Sequence, residues 1–326
     1  MSSPVLAVDD LKIEFATRRS TLPAVRGLTF SVNAGETLAI VGESGCGKSL
    51  TALALLGLIS PPGRVRAGRL ALEGRDMLGL SPEEMRSIRG NRIAMIFQEP
   101  MTALNPVLTV GEQIAEAISE HERVDAAGLR ARVIGLLEKV RIPDPERRYK
   151  EYPHRLSGGM RQRVMIAMAI ACSPRIIIAD EPTTALDVTV QAQILELLDD
   201  LKRSGTAVVL ITHDLAVVCE YADRVLVMYA GRKVEERAVG SFFRSPRHPY
   251  SRGLLEARPP TAGAADNFSR LTEIQGIVPP LDAIPPGCPF APRCPHAIDT
   301  CRQDMPRLAP TEEGQVACFR SRELYS

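Results

Sequence analysis

The stretch that most restricts this chain is Gly42-Glu43-Ser44-Gly45-Cys46-Gly47-Lys48-Ser49, a glycine-rich loop closed by a lysine and a serine. The apolar residues 38–41 precede it, and a helical pattern over residues 50–58 follows it. A loop of this kind between a strand and a helix is suited to phosphate. Its glycines let successive backbone N–H groups turn inward around anionic oxygens, and the following helix points its positive end at the same charge. Lys48 is expected to bridge the β and γ phosphates of ATP, and Ser49 to place its hydroxyl on Mg²⁺. Nucleotide contacts are therefore assigned to residues 42–50, which are Gly42, Glu43, Ser44, Gly45, Cys46, Gly47, Lys48, Ser49 and Leu50. A glycine turn with a solvated lysine is the alternative, and the two flanks argue against it. Cys46 reads as a small spacer in the loop rather than a catalytic thiol.

Residues 175–179 and 207–212 are further short apolar runs, and residues 161–171 and 190–202 carry helical periodicity. This alternation predicts an α/β fold, a buried parallel sheet with crossover helices. The first of these runs continues into Asp180-Glu181. A buried strand ending in two carboxylates suits delivery of Asp180 to a metal shell and Glu181 to an attacking water; a surface acidic pair is the bland alternative. Residues 99–168 are rich in helix formers and predict a helical subdomain inserted into the sheet domain.

The chain has 326 residues, 45% hydrophobic and 24% charged, which fits a folded globular protein with a large domain and an addition. Forty basic residues against thirty-nine acidic ones give a net charge of +1, which excludes a general polyanion-binding surface and argues against nucleic acid as partner. The longest apolar stretch, residues 164–172, is far short of the roughly 20 residues needed to cross a bilayer. Met1-Ser2-Ser3-Pro4 does not read as a secretory signal, so a cytosolic setting is expected, with any membrane association made through a partner.

Leu156-Ser157-Gly158-Gly159-Met160-Arg161-Gln162-Arg163 resembles the signature of ATP-binding cassette ATPases. Other parts of that family's pattern follow in order: Gln98 resembles the Q-loop glutamine, Thr184-Ala185-Leu186-Asp187 the D-loop, and His213 the switch histidine, while Phe15 is placed like the aromatic that stacks on adenine. The resemblance covers residues 1–240 and implies a P-loop NTPase cassette with a RecA-like sheet domain and the helical subdomain at about residues 99–168. It implies Mg²⁺ held through Ser49, Gln98 and Asp180, with Glu181, His213, Lys48 and Gln98 acting in hydrolysis. It also implies that the signature, Leu156, Ser157, Gly158, Gly159 and Met160, serves ATP on a second cassette, with Asp187 in the D-loop between them. Without that likeness, Ser157 reads as an ordinary N-cap.

The likeness narrows at Arg247-His248-Pro249-Tyr250-Ser251-Arg252-Gly253-Leu254-Leu255 and at Pro285-Pro286-Gly287-Cys288-Pro289-Phe290-Ala291-Pro292-Arg293-Cys294-Pro295, which resemble the C-terminal extension of dipeptide and oligopeptide importer ATPases. Relatives of that type also carry nickel, glutathione and some sugars. The resemblance implies a second ATPase subunit, two transmembrane permease subunits, an extracytoplasmic substrate-binding protein, and a peripheral place on the cytoplasmic face of the inner membrane. A soluble cassette ATPase acting on nucleic acid would carry a coiled-coil insertion, tandem cassettes or basic surfaces, none of which is read here.

Residues 241–326 form a tail with eleven prolines between 246 and 295 and four clustered cysteines, Cys288, Cys294, Cys301 and Cys318. Their spacing, Cys-x5-Cys-x6-Cys-x16-Cys, is wider than the tight pairs of zinc ribbons. Four thiolates suit a [4Fe–4S] cluster or a tetrahedral Zn²⁺, and the likeness to peptide importers favours the cluster; reduced thiols or disulfides are the remaining readings.

Overall fold

The computed structural model describes residues 3–18, 20–184, 186–257 and 273–325. Ala185 of the D-loop stretch and residues 258–272 of the tail lie outside the described residues. The main sheet runs in the order Ala309–Thr311, Gly314–Val316, Arg232–Ala238, Arg224–Tyr229, Thr37–Val41, Ala207–Ile211, Ile176–Asp180, Ile93–Ile96. The last five of these are parallel, and the first three add antiparallel pairings at one edge. Thr37–Val41, Ala207–Ile211 and Ile176–Asp180 are buried at every position, as unbroken apolar runs are when both faces of a sheet are covered. Each falls within one residue of the runs at 38–41, 207–212 and 175–179.

The parallel strands place the chemistry. Gly42 follows Val41 directly, Glu181 follows Asp180, and Gln98 and His213 each come two residues after a strand ends. All four therefore emerge at the carboxyl edge of one parallel sheet, where α/β folds bind ligands. Sequence separation of 171 residues between Gly42 and His213 collapses to one rim.

A second, antiparallel sheet is centred on Leu6–Ala16, which pairs with Thr21–Val32, Gly63–Arg66 and Arg69–Leu72, the last pairing with Arg75–Asp76. Nothing in the apolar pattern marked it. Asp10 adopts φ +50°, and the register shifts three times along the Leu6–Ala16 ladder, so the alternation of a half-buried strand is broken. Between Pro100 and Ile170 the chain is helical, with helices Val110–Ser119, Ala126–Lys139 and Gly158–Ile170 burying Ile114, Ile118, Val133, Leu137 and Val164 together. Thr109 and Glu112 open the first of these helices as a reciprocal capping box.

Among the described residues the tail has short elements only, the longest being helix Pro249–Glu256, as its prolines require. It builds its core on the sheet: Phe242, Tyr250, Cys288, Phe290 and Cys301 pack with Ala39, Val41, Val227 and Tyr229. The buried carboxylate of Glu235 accepts from the N–H groups of Arg247 at 2.7 Å and His248 at 2.9 Å. Burial pushes His248 down to about 3, so its ring is neutral, and Nδ1 accepts from the Tyr250 N–H at 3.0 Å to start the helix. The tail is thereby pinned beside the strand that feeds the glycine-rich loop.

Candidate functional site

Gly42 has φ +152°, and a Cβ there would lie 2.2 Å from the Met228 carbonyl oxygen, so only glycine fits beneath the loop. Gly45 and Gly47 also take positive φ, and helix Lys48–Leu55 begins from Gly47. The loop is thus turned by glycines at three points, with a helix N-terminus at its end. Lys48 is buried, and its ammonium donates to the carbonyls of Gly42 at 2.7 Å and Glu43 at 3.2 Å. Cys46 is completely buried within the core, and burial pushes its thiol up, so it is a neutral filler in this arrangement. Ser44, Gly45 and Ser49 are exposed, while Leu50 packs partly against the core.

Asp180 is 4% exposed. Burial raises its pKa, Ser49 opposes this through a side-chain hydrogen bond, and the neighbouring Glu181 charge adds to the rise. Oδ1 of Asp180 has no hydrogen-bonding partner. A buried carboxylate oxygen left unsatisfied beside a serine hydroxyl and a phosphate loop is the arrangement that a hard, oxygen-seeking cation completes, so these residues fit Mg²⁺.

The next residue, Glu181, takes φ +46°, a left-handed conformation that costs a non-glycine residue on the order of 1–3 kcal/mol and that concentrates at working sites. This turn resolves the difficulty that adjacent strand side chains face opposite ways. The Glu181 carboxylate is the hub of the rim: Gln98 Nε2 donates to it at 3.1 Å, Thr184 Oγ1 donates at 2.9 Å, and His213 Nδ1 lies 3.3 Å away. The structure thus brings Gln98, Glu181 and His213 together, and Ser49 with Asp180. The Thr184 contact joins the D-loop stretch to this carboxylate, a link that the local pattern of residues 184–187 does not indicate. Phe15 is half-buried on Leu6–Ala16, its ring beside Gly63.

The serine–glycine stretch lies elsewhere. Ser157 caps helix Gly158–Ile170 by accepting from the Met160 N–H at 3.3 Å, and Asp187 caps Val188–Arg203 by accepting from Val190 at 2.9 Å. A Cβ on Gly159 would meet Val190 at 2.8 Å, so glycine lets the two helix starts approach. Ser157, Gly158, Gly159, Met160 and Asp187 line one surface cavity of about 420 Å³, with Leu156 buried behind it. None of the residues around the glycine-rich loop lines this cavity.

The four tail cysteines are free, and all four line one cavity of about 20 Å³, little more than one water. Burial pushes Cys288 and Cys318 each up to about 11, so both are neutral thiols here. Among the described residues no group of three or more Cys, His, Asp or Glu side chains is placed to hold a metal ion as the chain stands. The donor set is that of a four-thiolate centre, lining one small cavity as free thiols.

Two protein families match the chain. The ABC transporter family matches residues 25–184, and the oligopeptide/dipeptide transporter C-terminal region matches residues 234–301. The oligopeptide transport ATP-binding protein AppD of Bacillus subtilis is 50% identical over 320 residues, covering 97% of this chain and 97% of that protein. The dipeptide transport ATP-binding protein DppD of Escherichia coli is 50% identical over 312 residues, 95% of this chain and 94% of that one. Among solved structures, a dimeric bacterial ABC transporter cassette superposes with a TM-score of 0.65 at 27% identity, over 72% of this chain and 98% of its own. A dimeric post-hydrolysis state of an ATP-binding cassette holding ADP and Pi matches with the same TM-score, identity and coverage.

Fold and site together define an ATP-binding cassette ATPase. Within that family the chain belongs with the ATP-binding proteins of oligopeptide and dipeptide transporters.

Proposed function

We propose that this chain hydrolyses ATP to power import of di- or oligopeptides, as one of two cassettes beneath a pair of membrane-spanning permease subunits fed by an external binding protein. The observation that carries the reading is the separation of two half-sites on one chain. The loop, Asp180, Glu181 and His213 form one, and the cavity lined by Ser157 and Asp187 forms the other. A helix start carrying Ser157, Gly158 and Gly159 offers N–H groups to an anion, and the chain's own loop already serves its nucleotide. The second half-site therefore serves ATP on a facing cassette. Among the described residues no helix is long and apolar enough to cross a membrane, so the chain reaches the inner face through the permeases.

In this reading Lys48 leaves the Gly42 and Glu43 carbonyls for the β and γ phosphates, and Phe15 stacks on adenine. Ser49, Asp180 and Gln98 hold Mg²⁺, which when bound offsets charge on the phosphate oxygens. Glu181 orients and polarises the attacking water, His213 contacts the γ phosphate, and Gln98 links the site to the helical subdomain that follows it. A lone chain should consequently be a weak ATPase whose specific activity climbs with protein concentration and with addition of the second cassette and the permeases. Rates for a dilute monomer equal to those of the assembled transporter would defeat the paired mechanism. Affinity purification from membranes should recover two hydrophobic subunits and a second ATPase.

The tail cysteines carry a second part of the proposal, a [4Fe–4S] cluster held by Cys288, Cys294, Cys301 and Cys318, with Zn²⁺ as the other candidate. What supports it is that four residues spread over 31 positions converge on one cavity without forming disulfides. When bound, such a centre would cross-link a tail poor in regular structure. Anaerobic purification followed by iron, sulfide and zinc analysis is expected to return about four irons and four sulfides per chain. Stoichiometric zinc would remove the cluster, and neither metal would remove both.

A further inference from the structure

The phosphate loop is gripped by the tail. Glu43, the second residue of the loop, is held at three points. Its carbonyl accepts from Lys48, its N–H donates to the Tyr250 hydroxyl at 2.8 Å, and its carboxylate takes the fork of Arg293 at 2.6 and 3.0 Å. Tyr250 and Arg293 both come from the C-terminal extension, 207 and 250 residues away along the chain. Tyr250 is fully buried, and the Arg293 side chain is 4% exposed.

Arg293 is itself fixed in place. It donates to the Ile274 carbonyl at 3.1 Å, the Gln275 carbonyl at 2.9 Å and the Tyr229 hydroxyl at 3.3 Å. Its guanidinium lies over the Tyr229 and Phe290 rings. Tyr229, Tyr250 and Phe290 pack edge to face or tilted, with centroids 4.7 to 5.3 Å apart. Tyr229 ends the strand that pairs with Thr37–Val41, the strand leading into the loop.

The electrostatic reason is specific. Glu43 puts a carboxylate in a loop that must receive a polyphosphate, and a like charge a few ångströms from bound phosphate opposes binding. A two-point arginine fork neutralises that carboxylate and fixes its orientation, which a lysine cannot do with the same geometry. We propose that Arg293 and Tyr250 are positioning residues for the phosphate loop of their own chain, so that the C-terminal extension completes the nucleotide site and sets its affinity through Glu43. This rests on the reading that residues 42–49 hold the phosphates.

The test is equilibrium MgATP binding by the full-length chain in a double-mutant cycle. Arg293→Ala should weaken binding about tenfold, and Arg293→Lys should fall between it and the parent. In the Glu43→Gln background the same Arg293→Ala change should cost less than about twofold, because the charge it left unpaired is gone. The Arg293→Ala loss should also shrink as salt rises from about 0.05 to 0.5 M, since it is a charge effect. A tail that had merely misfolded would not be repaired by Glu43→Gln, nor would its defect shrink with salt. Unchanged affinity in Arg293→Ala, or an equal loss in both backgrounds, overturns the proposal. Lys48→Ala run alongside separates the two levels: undiminished binding there would overturn the assignment of the loop itself.

Discussion

Glu181→Gln should leave MgATP binding within a few-fold of the parent and lower turnover of the assembled transporter by about 10²–10⁴, the range that general-base groups contribute. The structure explains why the substitution isolates chemistry from fold. Gln98 and Thr184 both donate to the Glu181 carboxylate, and an amide oxygen accepts from the same two donors. The new amide N–H₂ faces His213 Nδ1, which can accept in its Nε2–H tautomer. The strained backbone at φ +46° is the same for both side chains. Only the negative charge that polarises water is lost. ATP hydrolysis at saturating nucleotide, set beside a binding isotherm, reads the two quantities separately. Turnover within a factor of about three of the parent would remove Glu181 from the role assigned to it.

How much of this could be read without coordinates depends on how local each feature is. The glycine-rich loop was legible because its chemistry is written in eight consecutive residues and its strand and helix lie directly on either side. The gathering of Gln98, Glu181 and His213 was legible only as a likeness, since their meeting depends on parallel strand order, which the apolar runs at 175–179 and 207–212 do not encode. That the backbone turns at Glu181 follows from its place at the end of an apolar strand, but the left-handed form of the turn does not. The residue is a glutamate in a conformation that sequence habit reserves for glycine, and tertiary contacts hold it there.

The sheet built on Leu6–Ala16 was missed for a related reason. Its register shifts and the turn at Asp10 erase the two-residue period by which a strand is recognised. The tail presents the opposite case. Its prolines correctly forbid long elements, yet they say nothing of Gly314–Val316 joining the main sheet beside Arg232–Ala238 or of Arg293 reaching Glu43. Contacts across 250 residues leave no local trace. Arg293 lies between Pro292 and Cys294, and nothing in that local pattern marks it as the residue that touches the glycine-rich loop.

Lys48→Ala should act one step earlier than Glu181→Gln, costing affinity rather than turnover. A charge-assisted hydrogen bond contributes about 1.5–3 kcal/mol, so loss of the ammonium should weaken MgATP binding by roughly 10- to 150-fold. Lys48 is buried, with its ammonium bonded to the carbonyls of Gly42 and Glu43, so the same change also leaves two loop oxygens without their donor. Part of the loss should therefore appear as a lower thermal midpoint of the nucleotide-free chain. That midpoint provides the control: if it falls while the affinity measured well below it is unchanged, Lys48 is a fastener of the loop and not a ligand of phosphate. ADP should suffer less than ATP, because Lys48 is assigned to both the β and the γ phosphate and only ATP presents the second. An equal loss for the two nucleotides would confine Lys48 to the β phosphate and leave the γ phosphate to His213 and the signature of the facing cassette.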